Sequence, residues 1–319
     1  MARLQPGFAI LSHSVAQPPH RLIAALDQLY RHPPIAVHHD FGQAWLDQRE
    51  WSDTTRVVSD WVPTSWGAWS LVEAMLRAFR LLLASDADWF VLLSAADYPV
   101  APAGHLTEIL AQPFDAFVDH RVLYPSGAAD SRSEDPELER HFTEPGAWAT
   151  AQERYLHWRL PVPRALGQRL DAKLPSDAPR LARRSVRLPI RAPDLPFSAR
   201  YPCRIGSQWL MVNRRAAHAL LEPQGSAARV RRYLEPRWVP DECYAQTVLA
   251  NDPALRVCNQ SYRFLRWPPG AAHPASLGVD DLANLQVSNA AFARKITAGS
   301  LLLPQLDVRL GLASTPDRT

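Results

Sequence analysis

Three polar side chains sit where an open sheet exposes its ligand-binding edge. His13, Asp40 and Asp97 each follow an apolar run, at residues 8–11, 35–37 and 89–93. Parallel sheets bind ligands beyond the carboxyl ends of their strands. Each residue alone reads equally well as an ordinary turn residue; three together favour a site. Pro240-Asp241-Glu242 puts two carboxylates at the expected start of a helix. There the helix dipole favours the ionised form, so either acid is suited to accept a proton at neutral pH. Of 35 Lys and Arg residues only Lys173 and Lys295 are lysines. In so arginine-rich a chain, a position that remains lysine invites a role such as contact with an anion.

Several chemistries are excluded. No P-loop, dinucleotide glycine fingerprint, nucleophile elbow or zinc-hydrolase helix occurs. With 13 glycines in 319 residues, a glycine-built phosphate cradle is disfavoured, and phosphate binding would fall to side-chain cations. Asp86-Ala87-Asp88 has the form of a metal-binding Asp-x-Asp pair. It precedes the apolar run at 89–93, at the wrong end for a site, and reads as a polar turn. Cys203, Cys243 and Cys258 lack the paired spacing of a zinc site and are too few for a disulfide framework, which fits a reducing compartment. The formal net charge of +3 does not call for a polyanionic partner such as nucleic acid. No apolar run approaches the ~20 residues of a membrane span, and no signal-peptide pattern opens the chain. The expectation is a cytoplasmic protein.

The elements that must position these residues alternate. Strands are expected at 8–13, 35–38, 56–58, 89–93 and near 116–119, then at 205–212 and 261–267. Helices are expected after Pro18-Pro19 (with Leu22, Ile23 and Leu26 inward), after a Ser70/Glu73 capping box, at 214–221, from Pro240, and at 279–285. Continuous apolar strands alternating with helices predict an α/β fold with a mainly parallel central sheet. Residues 125–146 read as a long polar loop, a candidate lid. The Pro- and Arg-rich stretch 161–196 reads as a solvated connector, because proline breaks any helical face there.

Several segments, in order, resemble one family. Val37-His38-His39-Asp40 resembles its "VHxD" strand end, Trp66-Gly67-Ala68-Trp69-Ser70 its "WGxxS", and Leu92 to Pro99 its "LSxxDYP". Gly206-Ser207-Gln208-Trp209 resembles its "GSxW". Pro240-Asp241-Glu242 with Gln246-Thr247-Val248-Leu249 resembles its "PDExxxQTxL". His273-Pro274, Asp281-Leu282 and Phe292-Ala293-Arg294-Lys295 resemble its closing "HP…DL…FARK". This is the core-2/I-branching β-1,6-N-acetylglucosaminyltransferase family, glycosyltransferase family 14, which also holds the protein O-xylosyltransferases. The resemblance covers most of the chain outside 125–200.

The resemblance implies a single GT-A-like domain over 1–319. It has a nucleotide-sugar half (1–124), a variable insertion (125–200) and an acceptor and catalytic half (201–319). It implies an inverting transferase that moves a sugar from a UDP-sugar to a glycan or lipid-linked glycan acceptor, with no metal and no other cofactor. Glu242 matches the catalytic base, with Asp241 its nearest rival and an acceptor-side residue. Lys295 matches the lysine on the diphosphate. The animal branching enzymes add an arginine at the position of Ala272 here, so the second diphosphate cation is unassigned, with His273, Arg263, Arg266 and Arg294 as candidates. Asp40 matches a residue at the uracil end of the donor, Asp97 one near the sugar or ribose, and His13 joins that group. Trp209 either stacks on an acceptor sugar or packs. The lumenal animal members carry a membrane anchor and disulfides. Their lack here implies a bacterial cytoplasmic form with at most peripheral membrane contact.

Two other readings stand beside this one. The five arginines at 180, 183, 184, 187 and 191 offer a docking surface for a polyanion or membrane in a non-catalytic protein. A metal-dependent transferase would instead use Asp97 with a neighbouring acid.

Overall fold

Phe8, Ala9 and Ile10 are all fully buried, so the first strand has both faces covered. The computed structural model describes residues 4–49, 51–124, 145–161, 185–268 and 274–313. In chain order it begins β1 (Pro6–Ser12), α1 (His20–Tyr30), β2 (Ile35–His39), β3 (Thr55–Val57), α2 (Trp69–Leu83), β4 (Trp89–Ser94), β5 (Asp97–Pro99), α3 (Ala103–Leu110), β6 (Ala116–Val118) and β7 (Arg121–Tyr124). It continues α4 (Pro145–Tyr155), β8 (His157–Pro161), β9 (Ser185–Arg191), β10 (Cys203–Ile205), β11 (Leu210–Asn213), α5 (Arg214–Leu221), α6 (Gly225–Leu234) and α7 (Tyr244–Leu249). The last elements are β12 (Val257–Cys258), β13 (Arg263–Phe264), α8 (Leu282–Val287), β14 (Phe292–Arg294) and α9 (Leu302–Leu310). Of the candidate lid at 125–146, residues 125–144 lie outside the described residues, as do Arg180, Arg183, Arg184 and His273, and residues 145 and 146 open α4.

A seven-stranded sheet in the order β12-β6-β11-β4-β1-β2-β3 forms the centre. Its neighbours are parallel except at β11, which runs antiparallel to β4 and β6. The period of two along each strand sorts side chains between two cores. Phe8, Ile10, Val37, Val91 and Leu93 pack with α1, α3 and α9 on one side. Ala9, Ala36, Phe90 and Leu92 pack with α2, α5 and α7 on the other. Burial on both faces is what a continuous apolar strand encodes. A second, three-stranded sheet, β13-β14-β5, sits at the edge where β4 ends.

The fold differs from the sequence expectations at four places. Residues 205–212 are two strands, β10 and β11, separated by a loop at 206–209. A side chain at Gly206 would place its Cβ 1.8 Å from the Asp119 carbonyl oxygen, so the chain passes this backbone only as glycine. Ser70 and Glu73 make no capping box. α2 starts at Trp69, Ser70 accepts from the Ser65 N–H, and Glu73 binds Arg77 and Arg231. Pro240–Glu242 is a 3-10 turn ahead of α7 rather than the first turn of an α-helix. The stretch expected as connector contains β9, paired antiparallel with β8; in a two-stranded ribbon every strand is an edge, and edges tolerate proline.

No helix among the described residues is long and apolar enough to cross a membrane. Gly206→Ala should destabilise the fold by more than about 3 kcal/mol, because backbone rather than a flexible side chain must move. Chemical denaturation would show this; a midpoint equal to wild type would overturn the close-approach account.

Candidate active site

One cleft of about 1060 Å³ opens at the carboxyl ends of β1, β2 and β4. Because β11 is antiparallel, the residues that precede it reach the same edge. The cleft is lined by His13, Asp40, Trp209, Asp241, Glu242, Arg294 and Lys295, residues spread over most of the chain. Seven of the expected site residues therefore meet in one place. Asp97 and Arg263 lie behind its wall, and His273 is outside the described residues.

The positive wall is built on Asp97, at the start of β5, whose side chain is fully buried. Its Oδ1 accepts from Arg263 Nη1 at 2.6 Å, and its Oδ2 from Arg294 Nη1 at 3.1 Å. Oδ2 also accepts from the Ser94 N–H at 2.8 Å and its hydroxyl at 2.6 Å. Arg263 is buried and donates further to the Leu92 carbonyl at 2.9 Å. Its guanidinium thus braces the wall instead of facing the cleft. Two guanidiniums on one carboxylate leave a net positive charge, carried into the cleft by Arg294. The Arg294 guanidinium lies 4.1 Å above the Trp209 ring, a cation–π contact that fixes both. Trp209 is 7% exposed and is held chiefly by packing. Lys295 follows directly at the end of β14. Its carbonyl accepts from Leu277 N–H at 2.7 Å, and the next N–H, of Ile296, donates to Ala96 at 2.9 Å. The backbone is pinned on both sides, while the ammonium makes no ion pair with the described residues.

Another part of the cleft lining carries the acids. Val239 has φ 57°, ψ 49°, a left-handed conformation that a β-branched residue adopts only under constraint. The constraint is visible: its N–H donates to the Gly67 carbonyl at 2.8 Å, and its carbonyl accepts from the Tyr155 hydroxyl. Gly67 itself has φ +72° and lies under the Trp238 ring, where a Cβ would come within 2.8 Å. The "WGxxS" glycine is therefore the seat for the segment that turns into Pro240-Asp241-Glu242. On the far side of the turn Gly206 N–H donates to the Glu242 carbonyl at 2.9 Å. Gln246 Nε2 donates to the Ser207 carbonyl at 2.6 Å.

Glu242 Oε2 accepts from Arg154 Nη1 at 3.3 Å. Its carboxyl is pushed well above the ordinary carboxylate range, by burial first and then by the Asp241 charge, with Arg154 opposing. Burial also raises Asp241. The expected α-helix N-terminus is not there: the turn is 3-10, and the neighbouring Asp241 carboxylate opposes ionisation of Glu242. Arg154 lies in a segment without motifs, and the sequence reading missed it. Nothing local marks it out in so arginine-rich a chain.

At the carboxyl end of β2, Asp40 organises two loops. It accepts from Gly42 N–H at 3.0 Å, Gln43 Nε2 at 2.6 Å, and Thr64 N–H and hydroxyl at 2.7 and 3.0 Å. Burial alone would raise its carboxyl, but these donors outweigh it and hold the acid below its usual range. His38 Nε2 accepts from the Val62 N–H at 3.0 Å, so its ring is neutral; burial pushes its pKa down to about 4. His13 is exposed at the cleft mouth. Among the described residues no group of three His, Cys, Asp or Glu side chains could hold a metal ion.

The buried triad can be tested directly. Asp97→Asn leaves Arg263 charged, buried and without its counterion, and should cost about 3–5 kcal/mol. Denaturant unfolding would measure it. A variant as stable as wild type would remove Asp97 from its place as anchor.

The model of the Core-2/I-Branching enzyme family matches residues 34–140 and 175–290. The first segment holds Asp40, Gly67 and Asp97, and the second Gly206, Trp209, Asp241, Glu242 and Arg263. Arg154 falls between the two, and Arg294 and Lys295 lie past the second. No curated protein matches the chain. With most of its length covered and the acidic wall of its cleft inside the matched segments, the chain belongs to the Core-2/I-Branching enzyme family of glycosyltransferases.

Proposed function

We propose that this protein is an inverting glycosyltransferase that moves a sugar from a UDP-sugar to a hydroxyl of a glycan or lipid-linked glycan. N-acetylglucosamine is the favoured donor sugar and xylose the alternative. The observation that carries the reading is the division of one cleft into a cationic wall, Arg294 and Lys295, and an acidic wall, Asp241 and Glu242. An inverting transfer needs both at once. Glu242 removes the proton from the acceptor hydroxyl. The acceptor oxygen then bonds to the anomeric carbon on the face opposite UDP. The bond from that carbon to the β-phosphate oxygen breaks, and its electron pair leaves with UDP. Lys295 and Arg294 stabilise the charge that grows on the diphosphate.

This chemistry runs without a metal in our reading. Both oxygens of Asp97, the acid at the strand end where a metal would be held, are already engaged by guanidiniums. Asp40 and the loops that it ties, with His13 beside them, receive the nucleoside. Asp241 and Trp209 stand on the acceptor side. The reaction calls for no further cofactor and no nucleic-acid partner.

The raised pKa of Glu242 suits a base, since a carboxylate with higher proton affinity accepts more readily once ionised. The base works only when deprotonated, so the rate should fall as pH drops. The fall should be centred in the neutral range rather than at about pH 4, where an ordinary Glu titrates. Glu242→Gln should lower transfer by about 10²–10⁴-fold with UDP affinity nearly unchanged. If Glu242→Gln keeps full transfer while Asp241→Asn abolishes it, the base is Asp241; if both remain active, the mechanism is wrong.

Lys295→Ala should remove most activity and weaken UDP binding, and wild-type turnover should survive excess EDTA. Chelator-sensitive turnover restored by manganese would contradict the metal-free reading. UDP at a hundred times its dissociation constant should stabilise the protein by ~2.7 kcal/mol. No stabilisation by UDP, together with tight binding of heparin, would favour a polyanion-binding protein instead.

A further inference from the structure

Arg154, from the segment between the two family-matched stretches, puts a positive charge against Glu242. Its position is fixed before its side chain makes any contact. The Arg237 guanidinium donates to the Arg154 and His157 carbonyls, each at 3.1 Å, and the Tyr233 hydroxyl donates to the Tyr155 carbonyl at 2.8 Å. Arg237 in turn lies 3.8 Å over the Tyr233 ring. The end of α4 is thus clamped by the catalytic half of the chain. It repays the clamp through the Tyr155 hydroxyl, which holds the Val239 carbonyl at the head of the acidic turn.

From this clamp Arg154 reaches only one oxygen of Glu242, Oε2. No described residue donates to Oε1. A single-oxygen contact fixes the carboxylate's orientation and leaves the other oxygen available to a hydroxyl. The pair is about a quarter to a third exposed, 24% at Arg154 and 36% at Glu242, so its charge effect is moderate rather than that of a dry ion pair. The neighbours of Glu242 give that effect its purpose. Asp241 on its own turn opposes ionisation. Tyr155 on α4, Cys243, Cys203 on β10, and Glu73 on α2 offer no positive charge, and Glu73 is already paired with Arg77 and Arg231. Arg294, Lys295 and His13 stand elsewhere along the cleft. Among the described residues Arg154 is therefore the cation in direct contact with Glu242.

We infer that Arg154 is a positioning residue for Glu242: it orients the carboxylate through Oε2 and keeps it ionisable beside Asp241. The inference rests on the reading of Glu242 as base, and it assigns the α4 segment a part in the chemistry of the site.

The test reads the carboxyl itself. Full-length protein labelled with ¹³C at the glutamate carboxyl carbon is titrated by NMR. The Glu242 signal is identified by its loss in Glu242→Gln. An opposite charge this close typically lowers a carboxyl by 1–3 units. Given the exposure, Arg154→Gln and Arg154→Met should each raise the Glu242 midpoint by about one unit. Arg154→Lys, which keeps the charge, should leave it within about half a unit of wild type. Two neutral variants guard against one failing to fold, and circular dichroism melting identifies such a failure. An unmoved midpoint in a folded neutral variant overturns the inference. So does a rise in Arg154→Lys as large as that in Arg154→Gln, which would make the effect one of packing. Full transfer by Glu242→Gln would instead overturn the base reading, whatever the titration shows.

Discussion

A single buried carboxylate sets the geometry of the cationic wall. Asp97 lies on β5, Arg263 on β13 and Arg294 on β14, and Ser94 and Leu92 belong to β4. Through this one group the three-stranded sheet is joined to the end of the central sheet. Buried ions are costly to desolvate, by several kcal/mol each, and are tolerated only when well bonded. Here two cations share one anion, so the cluster keeps a net positive charge. Burial of Arg263 and Arg294 works against that charge, and Asp97 sustains it. Arg294 carries it to the cleft, and Trp209 covers the guanidinium face. Lys295 then needs no device of its own beyond a backbone pinned to Leu277 and Ala96.

The acidic wall is built on a different principle, backbone constraint. Val239 in a left-handed conformation points the chain into the Pro240-Asp241-Glu242 turn; Gly67 and Tyr155 hold Val239 itself, and Gly206 holds the Glu242 carbonyl at the far end of the turn. Two of these are glycines whose lack of a side chain is required by the distance to Trp238 and to Asp119. What look like scattered weak motifs along the chain are thus the parts of one support. "WGxxS" seats the loop and "GSxW" donates to the carbonyl of Glu242. "PDExxxQTxL" supplies the acids and the glutamine that ties the turn to Ser207.

The sheet was legible because its strands are buried on both faces and hence apolar without interruption, as 8–10 and 89–93 are. The strand-end positions of His13, Asp40 and Asp97 followed from that. Other features were illegible for physical reasons. The break in 205–212 depends on a close approach to Asp119, remote in sequence. Ser70 and Glu73 have capping-box spacing, but Arg77 and Arg231 compete for the glutamate and the helix starts one residue earlier. Arg263 has the residue type of a phosphate ligand, and only the buried Asp97 shows that it serves as a brace. Arg154 carries no local pattern, and its placement comes from Arg237, which holds its carbonyl, and Tyr233, which holds that of Tyr155. Local pattern therefore reported elements and residue types, while pairings between distant charges were visible only in three dimensions.

The two walls impose opposite electrostatic requirements on one small volume. Cations that receive a diphosphate also favour ionisation of any acid near them, whereas Asp241 and burial oppose it at Glu242. In our reading the bound donor adds its own negative charge to this balance and drives the proton affinity of Glu242 higher still. A fixed positive charge beside the carboxyl opposes that rise. Lys295 and Arg294 cannot serve as that charge, because the diphosphate neutralises them when the donor binds. Arg154 approaches Glu242 from α4, on the end of a helix that neither cation wall nor donor holds. In our reading its charge stays beside Glu242 when the donor binds, and the Arg237 and Tyr233 contacts to the end of α4 hold it there.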